Sequence, residues 1–246
     1  MSAAPGLLTT LIAAFESNGV ELRAWGLAWA RVTPTMVLVP AFGLRAVPGA
    51  VRAALGLALG AAVAPALHPV ASSALPWPAL LAEQAALGLP VALTAATALY
   101  VASMTGGVMD DLRAGRESAA LPNVEPGATP LGALLAMLVA IVFLETGGPA
   151  RVVEALADPA LEFHGALARA AAQLAHGVEV AVAVAAPVVI ASLVVEVAGA
   201  LVARAASPAY VQPLLAPLRS LAILAVAALL FERMAELLAL LARRSP

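Results

Sequence analysis

Cysteine and lysine are both missing from this 246-residue chain. Without cysteine there is no disulfide, no thiolate nucleophile and no cysteine metal site. All 13 basic residues are arginine, which beside so much alanine reads as genome-composition bias rather than chemistry. Charge is scarce: 11% of residues are charged, 63% are hydrophobic and mean hydropathy is +0.98. A soluble domain runs at about 45–50% apolar and about 25% charged, so polar residues are too few here to cover a water-facing surface. The bilayer is the solvent this composition fits, and the length suffices for several spans of about 20 residues. A formal net charge of −2 argues against nucleic acid as a partner. The three histidines, His68, His164 and His176, lie in unrelated contexts. There is no Gly-rich phosphate loop, no His/Glu metal pair and no Gly-x-Ser-x-Gly elbow. No cofactor, metal site or enzymatic role is expected. The first 15 residues carry no basic residue, a poor match to a cleaved signal peptide, so signal-anchor insertion of the first span is expected.

What is present is concentrated charge in one place. Between Met104 and Pro130 stand Asp110, Asp111, Arg113, Arg116, Glu117 and Glu125, flanked on both sides by Ala, Leu and Val. Such a cluster must sit in water or in a protein-lined polar space. Its glycines and prolines permit tight turns and break helices. Asp110 and Asp111 are adjacent, which puts their side chains about 100° apart on a helix. They therefore do not form a convergent acid/base or metal pair, and Arg113 and Arg116 are read as their local ion-pair partners.

The rest of the chain reads as five or six apolar helices, several broken by proline or carrying a charge. Residues 5–20 fit an interfacial helix or a half-span. Trp25–Phe42 is apolar except for Arg31 and contains Pro34 and Pro40. An arginine inside a span costs roughly 2.5–3.5 kcal/mol, so it faces protein or water or snorkels to an interface. Ala53–Leu67 holds Gly56-x-x-x-Gly60, a spacing that can bring helix backbones close. Prolines 65, 69, 76 and 78 mark a loop, followed by an apolar run from Leu80 to Met109 broken only by Glu83 and Gln84. Leu131–Leu144 is closed by Glu145-Thr-Gly-Gly-Pro149. Residues 150–178 are mixed and fit a surface helix with Val152, Val153 and Leu156 at helical spacing. Val180–Arg204 carries a small and polar stripe, Ser192, Glu196, Gly199 and Ala203, which is expected to face other helices. Ser207-Pro208 breaks that helix, and Leu214–Leu241 forms the last. Arginines fall in nearly every connection, so the positive-inside rule does not settle orientation.

Arg31, Pro34, Pro40, Phe42, Gly43, Pro48 and Arg52, then Gly106, Asp110 and Arg113, then Gly147 and Gly148, then Glu196, Gly199, Arg204, Pro217 and Arg219 stand in one order along the chain. Together these segments, from about Arg31 to Ser220, resemble the T-type export-apparatus proteins of type III secretion systems, the SctT/FliR family. Arg31-x-x-Pro34, Pro40-x-Phe42-Gly43 and Val47-Pro48-x-x-x-Arg52 look like the family's first hairpin. Gly106-Gly-Val-Met-Asp110-Asp-Leu-Arg113 is similar to the injectisome pattern of Gly, apolar pair, Asp, two residues, Arg, Gly. Here Ala114 takes the place of the last glycine. Pro126, Pro130-Leu-Gly132 and Gly147-Gly148 fit the downstream pattern. Glu196-x-x-Gly199-x-x-x-x-Arg204 followed by Pro217-Leu-Arg219-Ser220 is similar to the family's C-terminal segment, with Ser207, Pro208 and Tyr210 as departures and Arg219 in place of lysine.

The resemblance implies an all-α, membrane-associated fold of bent helical hairpins in a helical export gate. Residues 1–177 would resemble a P-type subunit and residues 178–246 the hairpin of a Q-type subunit. It further implies a non-enzymatic channel subunit in the bacterial inner membrane through which unfolded secretion substrates enter. Its partners would be P-type and Q-type subunits, with S-type and the U-type switch protein beside them, and membrane lipid. Arg31, Glu145, Glu196 and Arg204 have few evident partners within the chain, so they are expected to meet neighbouring subunits. The alternative is a permease subunit of a small-molecule transporter, using Arg31, Glu83 and Glu196 for substrate or ion binding.

Overall fold

Long runs of Ala, Leu and Val offer helix formers and a continuous apolar surface but few strand or turn signals. The computed structural model describes residues 21–39, 49–67, 75–113, 129–205 and 212–244. Among these residues there are seven α-helices and no strand, as the all-α reading expects. They are α1 (Leu22–Leu38), α2 (Gly49–Val63, continued by a 3-10 turn at Ala64–Leu67), α3 (Trp77–Leu112), α4 (Pro130–Glu145), α5 (Gly148–Ala157), α6 (Phe163–Ala205) and α7 (Gln212–Arg244).

The centre of the arrangement is α3. Helices α1, α4 and α6 pack along it, and α5 and α7 also touch it. Its middle turns are built from buried Ala92, Ala95, Ala96, Ala98 and Ala102. Side chains this small let several helices approach one backbone at once. Larger residues fill the spaces between: Leu27 and Val32 from α1, Met109 from α3, Phe143 from α4, Leu156 from α5 and Leu238 from α7. Burying each of these contributes about 1.5–3 kcal/mol where water is the alternative.

Among the described residues three stretches are long and apolar enough to cross a membrane: Gly49–Leu67, Trp77–Leu112 and Phe163–Ala205. The α4–α5 pair, bent by 66°, makes a fourth if taken as one broken span. The bend turns on Gly147, whose φ of 75° is a left-handed conformation that glycine adopts without a Cβ penalty. At 36 and 43 residues, α3 and α6 far exceed the about 20 a span requires. The apolar stretch of α3 is 67% buried within the subunit, that of α6 only 28%. Thus α3 is a core helix, while α6 presents most of its apolar surface outward.

Two expectations need correction. Proline does not break these helices: Pro34, Pro90, Pro187 and Pro217 lie inside α1, α3, α6 and α7. Proline removes one N–H and crowds one carbonyl, yet each of these helices runs on through it. Residues 150–178 are not one surface helix. They divide into α5, with Val152 and Leu156 buried, and the first turns of α6. Their Ala, Leu, Arg, Gln and Glu are good helix formers, so α6 runs on without a stop signal. Helix α6 continues unbroken through residues 177 and 178. Gly56 and Gly60 face Trp29 of α1 with room for a Cβ, at 3.7 and 3.8 Å. Residues 5–20 and the Ser207-Pro208 break lie outside the described residues.

Candidate functional site

The last turn of α3 carries Asp110, which is fully buried. One carboxylate oxygen accepts a bond from Arg113 Nε at 2.7 Å, the i, i+3 pairing expected on a helix. The other accepts the backbone N–H of Leu131 at 2.7 Å. Leu131 is the second residue of α4, one of the first-turn N–H groups with no partner in its own helix. Thr129 stands at the N-cap but makes no capping bond, and its hydroxyl is buried without a partner. The cap of α4 therefore comes from α3, and its negative charge also suits the helix N-terminus. The Arg113 side chain is 21% exposed, so it keeps contact with water. Asp111, next in sequence and about 100° round the helix, is exposed.

One turn earlier the two helices touch backbone to backbone. A Cβ on Gly106 would lie 2.5 Å from Gly132 Cα, and one on Gly132 would lie 2.8 Å from the Ser103 carbonyl oxygen. No real Cβ contact is that short, so glycine is required on both sides of the crossing. The crossing and the Asp110 cap together tie the two ends of segment 114–128, which includes Arg116, Glu117, Glu125 and Pro126 and lies outside the described residues.

A second polar node lies under α1. Arg31 is 3% exposed. Its Nε donates to Gln84 Oε1 of α3 and its Nη1 to the Leu156 carbonyl of α5, both at 2.8 Å. Burial disfavours its charge and pulls its pKa below the ordinary arginine value, while Asp158 and Glu83 act in the opposite sense. A Cβ on Gly88 would overlap the Arg31 carbonyl, so α1 and α3 meet closely here. The expectation that Arg31 lacks partners within the chain is corrected: it ties three helices of one subunit. It does not snorkel.

The third node joins α6 and α7. Arg219 Nη2 lies 2.5 Å from Glu196 Oε1, with the two side chains 34% and 48% exposed. Glu196 thus also has a partner inside the chain. Ser192 on the same stripe is buried and Glu196 reaches Arg219 of α7, whereas a Cβ on Gly199 would meet nothing within 4 Å, so the stripe does not face a helix along its whole length. Glu145 and Arg204 are exposed, and among the described residues neither forms an ion pair.

The remaining motif residues fall outside these nodes. Gly147 and Gly148 form the α4–α5 corner, with Gly148 buried against the Phe143 ring. Pro34 is half-buried in α1, Pro217 is exposed in α7, and Arg52 falls in α2. Pro40, Phe42, Gly43 and Pro48 lie outside the described residues. Sequence reasoning missed two groups: Gln84, whose signal was an uncharged amide in an apolar run, and the Leu131 N–H, which leaves no signal in a residue name.

No curated protein matches this chain. Among protein families, the one described as bacterial export proteins, family 1, matches residues 22–244. All three nodes lie within that span, and the match agrees with the T-type resemblance read from the motifs. The chain belongs to the bacterial export proteins of family 1, and is a membrane protein with a role in a protein-export apparatus.

Proposed function

We propose that this chain is the T-type structural subunit of a type III secretion export gate, of the injectisome branch. In the bacterial inner membrane it stands with P-type and Q-type subunits, beside S-type and U-type proteins, where unfolded substrates enter. Its N-terminal hairpins take the P-like place and its C-terminal hairpin the Q-like place. The observation that carries this reading is the family match over residues 22–244.

The geometry supports a positional role. Asp110 is occupied by Arg113 and by the Leu131 N–H, so it holds the ends of the central segment in place. Outward-facing Val182, Ile190, Leu193, Val194 and Leu201 on α6 leave apolar area for lipid or a neighbouring subunit. The permease reading asks Arg31, Glu83 and Glu196 to hold a substrate, but Arg31 is bonded to Gln84 and Leu156, Glu196 to Arg219, and Glu83 is exposed.

Deletion of the gene tests the proposal. Secretion of all substrates of one type III system should cease while general secretion continues. Needle subunits still secreted by the deletion strain would overturn it.

A further inference from the structure

Arg151 stands in the first turn of α5. A cation there opposes the dipole of its own helix, whose N-terminus is already positive. Its bonds run elsewhere. Nη1 donates to the Thr146 carbonyl at 2.5 Å and Nη2 to the Ala242 carbonyl at 3.1 Å. Thr146 is the C-cap of α4. Ala242 lies in the last turn of α7, which ends at Arg244. Both carbonyls belong to helix ends where intrahelical donors have run out. Two negative dipole ends thus converge on one guanidinium.

The surroundings fit a fixed seam rather than a loose surface contact. Leu238, Leu241 and Ala242 of α7 are buried, as are Val152 and Leu156 of α5 and Phe143 of α4. Arg151 itself is half-buried. Two donors on one planar fork reach two carbonyls at once, which an ammonium on a flexible stem does not reproduce. The locally unfavourable charge on α5 is offset by its contacts with α4 and α7.

We infer that Arg151 is a positioning residue that closes the C-terminal ends of α4 and α7 and so sets where the last helix docks on the bent α4–α5 pair. The docking of α7 then depends on a residue far from it in sequence, at 91 positions' separation.

The chain has no cysteine, so introduced labels are unique. Spin labels at Glu154→Cys and Leu240→Cys, both exposed, report the α5–α7 distance in the full-length protein in detergent. Labels at Met104→Cys and Val194→Cys report α3–α6 as the control. Arg151→Met keeps the apolar stem and removes the charge. It should shift and widen the α5–α7 distance distribution and leave α3–α6 unchanged, with Arg151→Lys intermediate. An unchanged α5–α7 distribution in Arg151→Met would overturn the inference. So would equal broadening of both pairs, which is general loss of structure rather than lost docking.

Discussion

The Asp110 carboxylate accepts the backbone N–H of Leu131 at 2.7 Å, 21 positions along the chain. One side chain in the last turn of α3 thereby caps the start of α4 and holds the two ends of the segment between them. Loop closure is costly in entropy but depends weakly on loop length, so a single buried cap suffices to define where such a segment begins and ends.

Removing that cap should cost more than removing its ion pair. Asp110→Ala leaves the Leu131 N–H unsatisfied and is expected to destabilise by about 1–3 kcal/mol. Asp110→Asn keeps an acceptor and should cost less. Arg113→Ala should cost least, because its side chain is partly in water. The swap Asp110→Arg with Arg113→Asp should recover only the ion-pair share, since arginine cannot accept the N–H. Thermal unfolding in detergent and a secretion assay check the order. Equal effects of Asp110→Ala and Arg113→Ala would contradict it.

Adjacent glycines should behave in opposite ways. Gly106→Ala forces a Cβ into the α4 backbone and should destabilise by about 1–3 kcal/mol, as overpacking does. At Gly107 the nearest atom to a new Cβ is Thr129 Oγ1 at 3.8 Å. Gly107→Ala should therefore be neutral, or stabilise by up to about 1 kcal/mol through helix propensity. Melting temperatures of the two variants decide the matter, and a Gly107→Ala as damaging as Gly106→Ala would contradict the close crossing.

Arg31 should resist single replacement. Arg31→Met leaves Gln84 and the Leu156 carbonyl short of a donor, a loss of about 1–3 kcal/mol for each group left unsatisfied. Arg31→Lys should also be impaired, because one ammonium replaces a forked donor. Adding Gln84→Leu to Arg31→Met should cost less than the sum of the single changes. Strict additivity in the double-mutant cycle would show that the pair is not coupled.

The Glu196–Arg219 pair is partly solvated, and such pairs are worth about 0–1 kcal/mol. Glu196→Gln should shift stability by no more than that, and the shift should shrink as salt is raised. A loss several times larger, insensitive to salt, would mean that Glu196 does more than pair with Arg219.

How far the sequence reveals these nodes depends on how far apart their parts lie. The Asp110–Arg113 pair was legible because its spacing is local and helical. Arg31 was legible as a charge that avoids lipid, but its partners lie 53 and 125 positions away, and no local spacing encodes such a distance. The all-α architecture followed from composition and apolar runs. The continuity of α6 did not, because a polar stretch of good helix formers looks like a change of element when it is only a change of surroundings. The prolines misled for a related reason: local propensity disfavours them inside a helix, while α1, α3, α6 and α7 each run on through one.

Co-expression with and without the P-type and Q-type subunits, followed by size-exclusion chromatography in mild detergent, tests the gate assignment most directly. The chain should enter a stable hetero-oligomer with both partners and be unstable alone, with the outward apolar faces of α6 and α7 uncovered. A stable, monodisperse lone subunit that fails to join its partners on mixing or co-expression would contradict it.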